Sequence, residues 1–160
     1  MTTHAEPAWL HGHPHEPNPT PPTDDAALLI YQGAASPQTV DLETLRRLPT
    51  VSVGGCYIIS TGHGVSGPFT FTGVRLVDLL ARLLGQGAIW RYADVVSADG
   101  FGTRVHAPEV VAQTERPIIL AHTVDGAQLT RAQGLVRLIV PSETDDALRQ
   151  VKWVAEIRVS

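Results

Sequence analysis

Apolar and polar positions alternate along this chain in short stretches, and only two stretches carry a helical period. Asp41–Leu48 (DLETLRRL) places Leu42, Leu45 and Leu48 on one face, with Asp41 able to cap the start and Pro49 to stop the end. Arg75–Leu84 (RLVDLLARLL) is the stronger helix. Leu76, Leu79, Leu80, Leu83 and Leu84 form one apolar stripe, and Gly85 follows as a C-terminal stop. The remaining apolar runs predict strands at Ala26–Gln32, Val51–Ser60, Phe69–Thr72, Asp94–Ala98, Thr103–Ala107, Ile118–Val124, Val136–Val140 and Val151–Val159. In Val51–Ser60, strict alternation puts Val51, Val53, Tyr57 and Ile59 on one face, and Gly54, Cys56 and Ile58 on the other. Thr61–Pro68 reads as a glycine-rich loop, Asp99-Gly100 as a type I′ hairpin turn and Pro108–Ala112 as a short helix. Strands mixed irregularly with two or three helices, and no internal repeat, predict an α+β fold and not a βαβ series.

Residues 1–25 break the pattern. They hold Pro7, Pro14, Pro17, Pro19, Pro21 and Pro22 and few aliphatic side chains, so apolar burial cannot offset the entropy of ordering them. The expectation is a Pro/His-rich disordered tail over 1–25 and one domain over 26–160. The tail's His11, His13 and His15 project to one side of an extended chain and could chelate a metal only weakly.

With 43% hydrophobic residues, 18% charged residues and a net charge of −4, the chain has enough apolar material for a core. It is a poor electrostatic match for nucleic acid or an anionic membrane. No apolar run approaches the roughly 18 residues of a spanning helix. No basic-then-apolar leader is apparent, which favours a cytoplasmic location. The one cysteine, Cys56, forms no intrachain disulfide and no CxxC site.

Several segments, in order, resemble the molybdopterin-binding domain of the sulfite oxidase superfamily. They are LRRLP at Leu45–Pro49, the strand Val51–Cys56, FTGVRLVDLL at Phe71–Leu80 and SADGF at Ser97–Phe101. LAHTVDGAQL at Leu120–Leu129, GLVRLIVP at Gly134–Pro141 and VKWVAEIRV at Val151–Val159 follow. The resemblance implies mixed, bent sheets with a few short helices around a molybdopterin cofactor. It also implies that Cys56 is the thiolate ligand of molybdenum, a soft donor suited to a sulfur-bound, high-valent metal. Partners would be a small-molecule substrate or a redox protein.

Other candidate residues follow from the same comparison. Ser60, Thr61, Gly62, His63, Gly64 and Ser66 could form an anion nest with hydroxyl donors for the pterin phosphate. Arg75, Arg104 and Arg137 could clamp an anion, and Lys152 could stand at the cleft edge. Asp99 and Phe101 occupy the family's DGY segment, where phenylalanine removes the phenolic donor. That departure argues against standard oxygen-atom transfer, and the absence of a dense arginine cluster argues against sulfite as substrate. The competing readings are a binding module on the same fold with a repurposed cleft, and a purely structural domain.

Overall fold

In the computed structural model, residues 27–33, 35–60, 64–141 and 149–160 are described. The strands are β1 (Leu28–Gln32), β2 (Gln38–Val40), β3 (Val51–Ser60), β4 (Gly64–Arg75), β5 (Tyr92–Ser97), β6 (Gly102–His106), β7 (Ile119–Val124), β8 (Ala127–Gln128), β9 (Arg137–Ile139) and β10 (Val154–Val159). The helices are α1 (Leu42–Arg47), α2 (Leu76–Leu84) and α3 (Ala107–Val111). One sheet has the order β2-β1-β10-β5-β6, and its only parallel pair is β1 with β10. The second runs β3-β4-β7-β8, with β9 also pairing β7. The α+β expectation is met.

The helices form where the pattern places them. Asp41 caps α1, its carboxylate accepting from the Thr44 amide at 2.7 Å. The stripe of α2 buries Leu76, Leu79 and Leu80 completely, each contributing about 2 kcal/mol of apolar transfer. These leucines meet Leu28, Ile30, Val95 and Ile157 of the first sheet and Leu120 and Leu138 of the second in the main core. Ile119, Ala121 and Ile139 alternate with those residues and face the other side of the second sheet. There they join Val53, Cys56, Ile58 and Phe71 in a smaller cluster.

Three features of the second sheet depart from simple alternation. Between Val53 and Cys56, β3 advances three residues while β4 advances two, from Phe71 to Phe69. The extra residue lies at Gly54-Gly55, where Gly55 takes φ +62°. Val53 therefore shares a face with Cys56 and Ile58, and Tyr57 is exposed, which corrects the alternation expected for this strand. The expected loop at 61–68 is also largely strand, because β4 starts at Gly64 and continues the hairpin, Ser60 pairing Gly64 and Ile58 pairing Ser66. In β7, His122 is the extra residue between the pairs Thr72–Thr123 and Gly73–Ala121. This bulge needs the glycine opposite it. A Cβ on Gly73 would stand 2.0 Å from the Leu120 carbonyl oxygen and 2.5 Å from the Ala121 Cα.

Turn chemistry is split in a similar way. At Asp99-Gly100 only Gly100 has positive φ, so the turn is not type I′. Both Asp125 (φ +48°) and Gly126 (φ +83°) are left-handed, so the β7–β8 turn takes the I′ form instead.

Two predictions follow from the β7 bulge. Gly73→Ala should cost about 3 kcal/mol or more, read as a lower urea midpoint at unchanged slope, because the obstruction is main chain and cannot turn aside. A variant within about 0.5 kcal/mol of the parent would show that the strands can part. His122 is buried, its Nδ1 shares a hydrogen bond of 2.8 Å with the Thr123 hydroxyl, and its Nε2 has no partner among the described residues. Burial, and secondarily Arg46, hold its pKa below the ordinary 6.5. The unfolded chain thus takes up this proton at a higher pH than the folded one, and stability falls as pH drops through about 6.5. The melting temperature should decline between about pH 7.5 and about 5.5, and less steeply in His122→Gln. Equal slopes would remove His122 from the cause.

Candidate functional site

Cys56 lies on β3, an edge strand of its sheet among the described residues, with only 4% of its surface exposed. Its sulfur packs in the small apolar cluster and lies 3.4 Å from the Val53 carbonyl oxygen. Arg116, from the connection between α3 and β7, reaches the same place. Its Nη1 donates to the Gly54 carbonyl and its Nη2 lies 4.0 Å from Sγ. Burial pushes the Cys56 thiol above its ordinary pKa, and the Arg116 cation opposes that shift.

Arg137 comes to the same side of the sheet by ordinary alternation, since β9 pairs it with Ala121. Its guanidinium is buried and lies 5.6 Å from the centroid of Phe71, a member of the cluster that holds Cys56. Next to Arg137 is a strained corner. Leu135 (φ +57°) and Trp153 (φ +50°) are left-handed without being glycine. Trp153 ties three segments together. Its amide donates to Gly134, its indole Nε1 to the Arg131 carbonyl at 2.7 Å, and its carbonyl accepts from Ala98 at 2.8 Å. A Cβ on Gly134 would lie 3.0 Å from the Lys152 Cβ and 3.2 Å from the Arg137 Cγ, so these two cationic side chains leave the backbone close together. The Lys152 ammonium is 5.9 Å from the Trp153 ring.

The other expected residues are distributed differently. Asp99 accepts from the Phe101 amide within the β5–β6 turn, and that turn touches the corner through Ala98 and Trp153. The Phe101 side chain belongs to the main core, where an aromatic ring gains more by burial than at a cleft mouth. Arg104 donates to Asp94 through two nitrogens, at 2.7 and 3.0 Å, and stacks 3.8 Å over Tyr92 in the first sheet. Arg75 is likewise held twice by Asp78, at 2.8 and 3.0 Å, at the start of α2. Neither guanidinium is arranged as an open anion clamp. Gly64 and Ser66 are exposed strand residues of the hairpin and do not form a nest beside Cys56. Ser60 is described through its backbone alone, and Thr61, Gly62 and His63 lie outside the described residues, as do His11, His13 and His15.

Sequence reasoning missed Arg116, which stands 60 residues from Cys56 and carries no local pattern. A cleft of about 350 Å³ lies elsewhere, between α1 and α2, lined by Leu48, Pro49, Val74, Ala81 and Arg82 among others, and no expected site residue borders it. No helix among the described residues is long and apolar enough to cross a membrane.

A family model for the oxidoreductase molybdopterin binding domain matches residues 15–160. A search of curated proteins found no match. Among solved structures the chain is similar to the sulfane dehydrogenase SoxCD from Paracoccus pantotrophus, with a TM-score of 0.66 and 21% identity. That match covers 83% of this chain and 37% of the other, so this chain spans little more than a third of that relative and the likeness bears on fold. The donor set fits a molybdopterin in kind: one soft sulfur for a metal, and an arginine and a lysine whose side chains start out beside Gly134 for an anionic phosphate. The chain belongs to the oxidoreductase molybdopterin binding domain family, carries its sulfite-oxidase-type α+β fold, and has molybdopterin with its molybdenum as the cofactor that this membership assigns.

Proposed function

We propose that this chain is the cofactor domain of an oxidoreductase, with Cys56 the protein's ligand to molybdenum and Arg137 and Lys152 holding the pterin phosphate. When bound, the group would supply two-electron redox chemistry, by oxygen-atom transfer or a related reaction. The observation that carries the reading is that Cys56 and Arg137 share one face of one sheet, around Phe71.

The chain's own residues have separate tasks. Cys56 offers its sulfur from a strand whose Gly54-Gly55 bulge turns it toward the cluster. Because burial favours the neutral thiol, ligation must displace its proton, and the Arg116 cation beside Sγ lowers the cost of that loss. Arg137 keeps a fixed direction because its Nη1 donates to the Gln133 carbonyl at 3.4 Å and its guanidinium rests on Phe71. Asp99 holds the turn beside Lys152, and Trp153 anchors the corner. A small-molecule substrate and a redox protein are the partners such a domain needs.

A second reading, a binding module on the same fold without the cofactor, draws support from the packing of Cys56 among Val53, Ile58 and Phe71. Metal analysis separates the two. The chain purified from a molybdenum-replete host should carry molybdenum in near-stoichiometric amount, and Cys56→Ser should lower that content about tenfold or more. Lys152→Ala should weaken retention by about tenfold, the worth of one hydrogen bond to a charged group. Unchanged molybdenum in both Cys56→Ser and Lys152→Ala would refute the proposed site, and a metal-free parent chain from such a host would favour the binding module.

A further inference from the structure

We propose that Arg116 is a removable cover over Cys56, a positioning residue that keeps the sulfur closed off until a ligand takes its place. This inference goes beyond the ligand role assigned above and rests on that reading only for its purpose. Among the described residues Cys56 lies on an edge strand, with a neighbouring strand on one side only, and still it is 4% exposed. Arg116 is itself exposed, and it spans the bulge from the Gly54 carbonyl to Sγ. The bulge makes this possible. Gly55, at φ +62°, turns the Gly54 carbonyl and the sulfur toward the same cation, and a Cβ there would already lie 3.8 Å from the Arg116 Nη1.

The arginine is also aimed from its own side. Its amide donates to the Thr114 hydroxyl at 3.1 Å, and the next residue, Pro117, is buried, so the backbone is fixed while the side chain is free to swing. A long, solvated side chain held by one strong hydrogen bond can move aside at little cost, whereas Val53, Ile58 and Phe71 on the other side of the sulfur cannot. The cluster therefore forms the wall and Arg116 the door. A guanidinium displaced from Sγ would remain beside the entering group and favour an anionic one.

The test reads access to the sulfur in the full chain purified from a molybdenum-starved host. Iodoacetamide alkylation of Cys56 is followed on the alkaline plateau, where every reacting thiol is ionised and the rate reports access alone. Arg116→Ala should react at least about fivefold faster than the parent, with an unchanged melting temperature. Arg116→Lys keeps a cation but cannot bridge both acceptors, and should fall between the two. Rates for Arg116→Ala equal to or below the parent's would overturn the proposal, as would an Arg116→Lys rate matching that of Arg116→Ala. The result is independent of the metal assignment. A faster Arg116→Ala in a chain that never holds molybdenum keeps the door and removes the proposed ligand role, whereas equal rates in a molybdenum-loading chain do the reverse.

Discussion

A β-strand turns successive side chains to opposite faces, and a single extra residue reverses that order for everything beyond it. The fate of the protein's one thiol hangs on such a reversal. Without the Gly54-Gly55 bulge, Cys56 would face away from Val53. With it, the sulfur joins Val53, Ile58 and Phe71 on the side of the sheet where Arg137 also lies. The bulge brings the Gly54 carbonyl beside the sulfur as well, so Arg116 can address both from a connection far away in sequence. A backbone irregularity of one residue thus sets the burial, the electrostatics and the reachability of the thiol together.

The cations are sorted by where they stand. Arg75 and Arg104 are matched by Asp78 and Asp94 in two-point pairs, where a planar guanidinium is best satisfied and adds shape to the sheet and helix it serves. Arg137 and Lys152 stand instead at the corner where Leu135 and Trp153 hold left-handed backbone. Strain of that kind persists only when surrounding bonds over-determine it. Trp153 supplies them, through its links to Gly134, Arg131 and Ala98. The corner and the Gly54-Gly55 bulge are two of the places where the second sheet and its neighbours depart from regular geometry, and the cluster around Phe71 holds the sulfur and meets the Arg137 guanidinium.

Much of the fold could be read from the chain because local chemistry and tertiary packing agree there. Asp41 caps α1 as its position implies, and the leucine stripe of α2 is buried on the expected side. The order of family-like segments identified the fold where each segment alone is unspecific. What could not be read has a common cause: it depends on partners that alternation cannot see. The face of Cys56 follows from φ at Gly55, which glycine permits but does not announce. The extension of β4 through Gly64–Pro68 depends on pairing with Ile58–Ser60, against the turn preference of its glycines and proline. Arg116 is an exposed residue in an irregular segment, and only the folded chain brings it to the sulfur. Arg104 read as an anion clamp because Asp94, directly opposite it across the hairpin, is invisible to composition.

The direct measure of the account is the sulfur count around the metal itself. X-ray absorption at the molybdenum edge of the loaded protein should find one more sulfur neighbour in the parent than in Cys56→Ser. An identical sulfur count in the two proteins would contradict the claim that this strand, bent by its glycines, delivers the metal's only protein-borne sulfur.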